Sequence, residues 1–109
     1  GQVWLGGLLG KAPEVNGLEI NGAPQMIQLS LDGKRLFVTT SLFSTWDNQF
    51  YPKMKENGGQ LLIVECDVEN GGMAIRDDFA IDFGQEPYGP ARAHETRYPG
   101  GDCSSDIWV

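Results

Sequence analysis

His94, Glu95, Asp102 and Cys103 lie within ten residues of one another, and they are the grouping most able to do chemistry in this chain. His94 is the only histidine and Cys103 is one of two cysteines. Between them Tyr98-Pro99-Gly100-Gly101 reads as a turn that swings Asp102 to Trp108 back into a sheet, where Trp108 fills a gap. An imidazole beside a rigid turn and a thiol suggests a metal or redox position, yet a lone histidine cannot complete one. Glu95 and Asp102 can orient the imidazole as hydrogen-bond acceptors, or they are solvated or paired with Arg97. Cys103 reads as a structural thiol or, alternatively, as a soft ligand. The adjacent Asp102 charge would raise its pKa rather than activate it.

The elements that must position these residues are short and rich in turns. Pro24–Leu31 alternates with period 2, placing Ile27, Leu29 and Leu31 on one face and Gln28 and Ser30 on the other. Asp32-Gly33 predicts a tight hairpin turn, and Leu36–Thr40 a second strand. Ser41–Gly59 reads as a packed aromatic loop, with a short helical turn after Pro52. Within it Trp46 and Asp47 either line a channel for a small substrate or anchor the loop.

Leu61–Val68 is apolar on both faces at its start, as expected of a strand between two layers. Cys66 belongs to that run and reads as a small buried hydrophobe; a Cys66–Cys103 disulfide is an open alternative. Glu69-Asn70-Gly71-Gly72 turns the chain into a fourth strand beginning at Met73–Ile75. A further extended piece carries Phe79, Ile81 and Phe83, and Gly84–Pro90 is loop. Glu86, Asp77 and Asp78 read as solvated loop charges. Four short antiparallel strands in sequence make an all-β sheet of about propeller-blade size.

Composition excludes several partners. A net charge of −7 with scattered Lys and Arg argues against nucleic acid. No apolar run approaches the ~20 residues of a membrane span. Gly71-Gly72 and Gly100-Gly101 do not sit between a strand and a helix as a phosphate cradle would, and Ser104 and Ser105 lack a nucleophile-elbow motif. No targeting signal is visible, which leaves cytoplasm and periplasm both open. The 109 residues bound the chain to one domain, and its opening inside Gln2-Val3-Trp4-Leu5, read as a strand with no initiating Met, suggests a piece of a longer protein.

Three phrases go further. G-A-P-Q-M-I-Q-L-S-L-D-G-K-R-L-F-V-T-T-S-L from Gly22, W-D-N-Q-F-Y-P from Trp46 and A-H-E-T-R-Y-P-G-G-D-C-S-S-D-I-W from Ala93 closely resemble the C-terminal portion of the selenium-binding protein family. Its enzymatic members are methanethiol oxidases. Gly6–Asn21 departs from the family pattern and is shortened.

The resemblance implies the C-terminal part of a seven-bladed β-propeller, about one blade plus a closing tail, in a protein about four times this length. It implies oxidation of methanethiol by oxygen and water to formaldehyde, hydrogen sulfide and hydrogen peroxide. It also implies copper held by several histidines, of which only His94 has a counterpart here; copper suits imidazole ligands. The remaining ligands and the selenium-linked cysteine would lie outside this chain, and Cys103 does not inherit that role. The alternative is a propeller scaffold that binds selenium or protein partners without turnover. Alone, the chain is expected to be inactive and to expose sheet faces and edges.

Overall fold

The computed structural model describes residues 1–94 and 96. Its centre is a four-stranded antiparallel sheet in sequence order, made of β1 (Ile27–Leu29), β2 (Arg35–Thr39), β3 (Gln60–Cys66) and β4 (Met73–Asp82). Two helices, α1 (Ser44–Phe50) and α2 (Met54–Asn57), connect β2 to β3, and a 3₁₀ turn over Phe83–Gln85 follows β4. The meander expected from the alternation and the turn residues is present.

Register explains the core. Leu36 pairs with Val64 and Val38 with Leu62, while Val64 pairs onward with Ile75 and Leu62 with Ala80. Residues directly opposite across antiparallel strands share a face, so these side chains form one apolar surface. Leu5 and Val15 from the N-terminal segment cover it, with Val3 and Ile20 beside them. On the other face Ile63 is also buried, so the middle of β3 lies between two layers as expected.

β1 departs from its expected packing. Ile27 and Leu29 pair with Val38 and Leu36 and therefore lie on the core face, yet Ile27 is 59% and Leu31 70% exposed, while Gln28 and Ser30 are buried. The covering segment packs against β2, β3 and β4, and the apolar edge of β1 stays open to solvent. The ladder continues past the strand ends through Gln25 N–H to Thr39 O and Ser30 N–H to Arg35 O.

The N-terminal segment is not the strand suggested by Gln2–Leu5; it is irregular, with isolated bridges at Gly6–Lys11 and Val15–Leu18. Inside the shortened region, Asn16 and Gly17 both take positive φ as the loop of a two-residue hairpin, in which Val15 and Leu18 exchange the paired hydrogen bonds. That turn docks through Asn16 N–H to Asp77 O at 2.7 Å and places Val15 in the core.

Asp77 and Asp78 are not loop charges. They belong to β4, in an irregularity opposite Ile63, where Arg76 bonds Asp78 at 2.7 Å. Phe83 has left the strand for the 3₁₀ turn. Cys66 is free and half-buried, on the core side opposite Met73.

The β1–β2 turn spans four residues rather than two. Gly33 alone takes positive φ, and Asp32 serves as an acceptor. Its Oδ1 receives Ser30 Oγ at 2.6 Å and Lys34 N–H at 3.1 Å, and its Oδ2 receives Arg35 at 3.0 Å. The Ser30 hydroxyl, then the Lys34 amide and the nearby cations, hold the Asp32 carboxyl below its ordinary value of 3.8. Asn70 does the same for Asp67 in the β3–β4 turn. A carboxyl lowered on folding stabilises the fold above its unfolded pKa, and that contribution is lost as pH falls through the folded value. Asp32→Asn should therefore melt below the wild type at pH 7, and the gap should close as pH drops below about 4. Thermal melts across pH 2–7 check this; a gap that persists unchanged at pH 2 contradicts it.

Candidate functional site

The segment between β2 and β3, read as a loop, contains α1, and its periodicity is visible afterwards in the sequence. Phe43, Trp46 and Phe50 recur at i, i+3 and i+7 and stack along the exposed side, with ring centroids 6.5 and 5.3 Å apart. Asp47, which flanks this stripe at i+4, is fully buried. Trp46 and Asp47 therefore do not line a common channel; one faces solvent and the other the interior.

Asp47 organises what surrounds it. Its Oδ2 accepts Ser41 Oγ at 2.7 Å and Leu42 N–H at 3.0 Å, so the carboxylate reaches back to the residues before the helix. The first turn itself has no side-chain cap. Oδ2 also accepts Arg92 Nη1 at 3.1 Å. The same guanidinium donates through Nη2 to Asn48 Oδ1 at 2.6 Å and to the Met54 carbonyl at 3.3 Å. Asp47 Oδ1 is buried with no hydrogen-bond partner among the described residues.

Arg92 belongs to an arm without regular secondary structure that includes Ala91 to His94. Ala91 N–H donates to Phe83 O at 2.8 Å, and Gly59 N–H donates to Ala91 O at 3.0 Å. Gly58 has φ +68, and a β-carbon there would stand 2.6 Å from the Ala91 carbonyl, so the arm lies where only glycine admits it. At the far end Thr39 Oγ1 of β2 donates to the His94 carbonyl at 2.8 Å. The His94 main chain is thus tied to the sheet while the residue itself is exposed.

A second polar anchor holds the other side of the connection. The buried Gln60 side chain donates to Glu19 O at 2.8 Å and accepts Asn21 N–H at 2.9 Å, fastening the N-terminal segment to β3. Beside it a cleft of about 310 Å³ lies between Gly6–Gly10 and Tyr51–Met54. Its lining includes neither His94 nor Asp47.

Of the residues singled out from sequence, His94, Cys66, Trp46 and Asp47 can be placed, and they do not converge. Among the described residues no group of three or more His, Cys, Asp or Glu side chains is placed to share a metal. Glu95, Arg97, Asp102, Cys103 and Trp108, with the Tyr98–Gly101 turn, lie outside the described residues. Sequence reasoning missed Arg92, whose one signal was a lone cation between Ala91 and Ala93. No described helix is long and apolar enough to cross a membrane.

The 56 kDa selenium-binding protein (SBP56) family model matches residues 1–109. The chain belongs to the selenium-binding protein family. Selenium-binding protein 1 of Arabidopsis thaliana is 52% identical over the whole chain, which covers 26% of that protein. Human methanethiol oxidase is also 52% identical over the whole chain, which covers 27% of it. The chain thus spans about a quarter of the length of these relatives and aligns to their C-terminal part. Both alignments run over 126 positions, so these family members carry residues that this chain lacks.

The solved structure of a hypothetical selenium-binding protein from Sulfolobus tokodaii superposes with a TM-score of 0.74 at 44% identity. The match covers 94% of this chain and 21% of that one, so the antiparallel sheet and its connections are a family feature.

Removing one member of a buried ion pair strands the other without compensation, at a cost of about 3–5 kcal/mol. Asp47→Ala leaves the Arg92 guanidinium, itself largely buried, facing only Asn48 and the Met54 carbonyl. Chemical denaturation should show a loss of that size; a loss below about 1 kcal/mol contradicts the assignment of Asp47 as the anchor.

Proposed function

We propose that this chain works as the C-terminal part of a methanethiol oxidase built on a seven-bladed β-propeller. Its four-stranded meander would be the main part of one blade, and the exposed apolar edge at Ile27 and Leu31 would be covered by the remainder of the propeller. The reaction is CH₃SH + O₂ + H₂O → HCHO + H₂S + H₂O₂: the methyl carbon is oxidised, the C–S bond breaks, and oxygen is reduced to peroxide. The observation that carries this reading is the 52% identity, over the entire chain, to proteins named methanethiol oxidase in rat and human.

His94 is the residue of this chain that would serve the metal. Its donor type suits copper, it is exposed, and the remaining ligands would come from other blades. The described residues fit copper as the source of one ligand, not as a complete site. Copper would supply the one-electron steps that O₂ chemistry needs. The isolated chain is accordingly inactive on this reading.

A second reading, a propeller scaffold that binds selenium or protein partners without turnover, draws on relatives of equal identity named selenium-binding protein. The two are separated by assay of the full-length protein. The oxidase reading expects hydrogen sulfide release from methanethiol that disappears on copper chelation and returns on copper addition, with His94→Ala lowering both copper content and turnover at least tenfold. Copper-loaded protein that releases no hydrogen sulfide would favour the scaffold.

A further inference from the structure

We propose that the Asp47–Arg92 pair and Thr39 form a positioning clamp that fixes where the His94 imidazole stands. The inference rests on the reading of His94 as a copper ligand. From Ala91 to His94 the backbone has no regular secondary structure, yet it is fixed at three of its four residues. Ala91 is held on both sides of its peptide unit, by Phe83 and Gly59. Arg92 is held by α1 and by the Met54 carbonyl of α2. His94 is held by β2 through Thr39. Four separate elements, the 3₁₀ turn, α1, α2 and β2, thus converge on the four residues from Ala91 to His94.

The choice of groups points to orientation rather than adhesion. A buried ion pair is seldom better for stability than apolar side chains of the same volume, and this one leaves Asp47 Oδ1 unpartnered among the described residues. What an arginine adds is its planar fork, which grips two acceptors at once and fixes rotation as well as distance. Here Nη1 meets Asp47 Oδ2 and Nη2 meets Asn48 Oδ1, one helical residue apart. A lysine would keep the charge and lose the fork. Two residues on, the Thr39 hydroxyl holds the carbonyl of His94 itself. Neither Arg92, Asp47 nor Thr39 is offered as a ligand; all three act through His94.

Groups that orient a metal ligand without touching the metal alter affinity by about 10- to 100-fold when removed. The test uses the full-length protein with Arg92→Lys, Thr39→Val and His94→Ala, measuring copper affinity by chelator competition, the Cu(II) EPR spectrum, and melting of the copper-free protein. Arg92→Lys and Thr39→Val should each bind copper at least tenfold more weakly with altered hyperfine splitting. Thr39→Val should do so with little change in the copper-free melt, which a merely structural role would not produce. If both folded variants keep wild-type affinity and spectrum while His94→Ala loses copper, the clamp is refuted and the ligand reading stands. If His94→Ala itself keeps wild-type affinity and spectrum, the ligand reading fails and takes the clamp with it. Should Arg92→Lys not fold, Thr39→Val decides alone, since it removes one hydroxyl and little volume.

Discussion

A carboxylate with no access to water must find its compensation inside the protein, and Asp47 finds it in Arg92, 45 residues away. Much of the connectivity follows from that requirement. The pair brings the arm after β4 back against the helices between β2 and β3, so the two irregular stretches of the chain become one packed unit. Ser41 and Leu42 join it just before the helix start, where the same carboxylate oxygen accepts both of them. Without the pair, α1 would be a two-turn helix with an exposed aromatic stripe and little to hold it, because helices this short are marginal alone.

The sheet and the arm divide the work. β2 and β3 supply rigidity through their shared register and the apolar surface closed by Leu5 and Val15. The arm carries the histidine over the end of that frame, and Thr39, itself buried in β2, passes the frame's position to His94. On the proposed reading of His94 as a copper ligand such support matters, since sites drift when the surrounding residues leave them loose. The chain spans about a quarter of the length of its relatives.

The strands were legible because their signals are local. Alternation around Gln28, the Asp32-Gly33 pair and the Gly71-Gly72 pair each mark an element within a few residues. Which face of β1 would be covered was not legible, because burial depends on what packs there and not on the strand's own pattern: Gln28 is buried and Ile27 exposed. The i, i+3, i+7 spacing of Phe43, Trp46 and Phe50 was present but read as a packed aromatic loop. The Asn16-Gly17 hairpin has a local signal too, since both residue types tolerate the positive φ it requires. Asp47 and Arg92 left almost no trace, since a buried ion pair is a relation between distant residues and neither one announces it.

The account turns on His94 standing at a metal, and counting imidazoles at that metal tests it most directly. Pulsed EPR of the copper-loaded full-length protein resolves the remote nitrogen of each imidazole bound to Cu(II). The account predicts that His94→Ala lowers the count by one while the other imidazole signals stay. An unchanged count in the copper-loaded variant would remove His94 from the site and contradict the account at its centre.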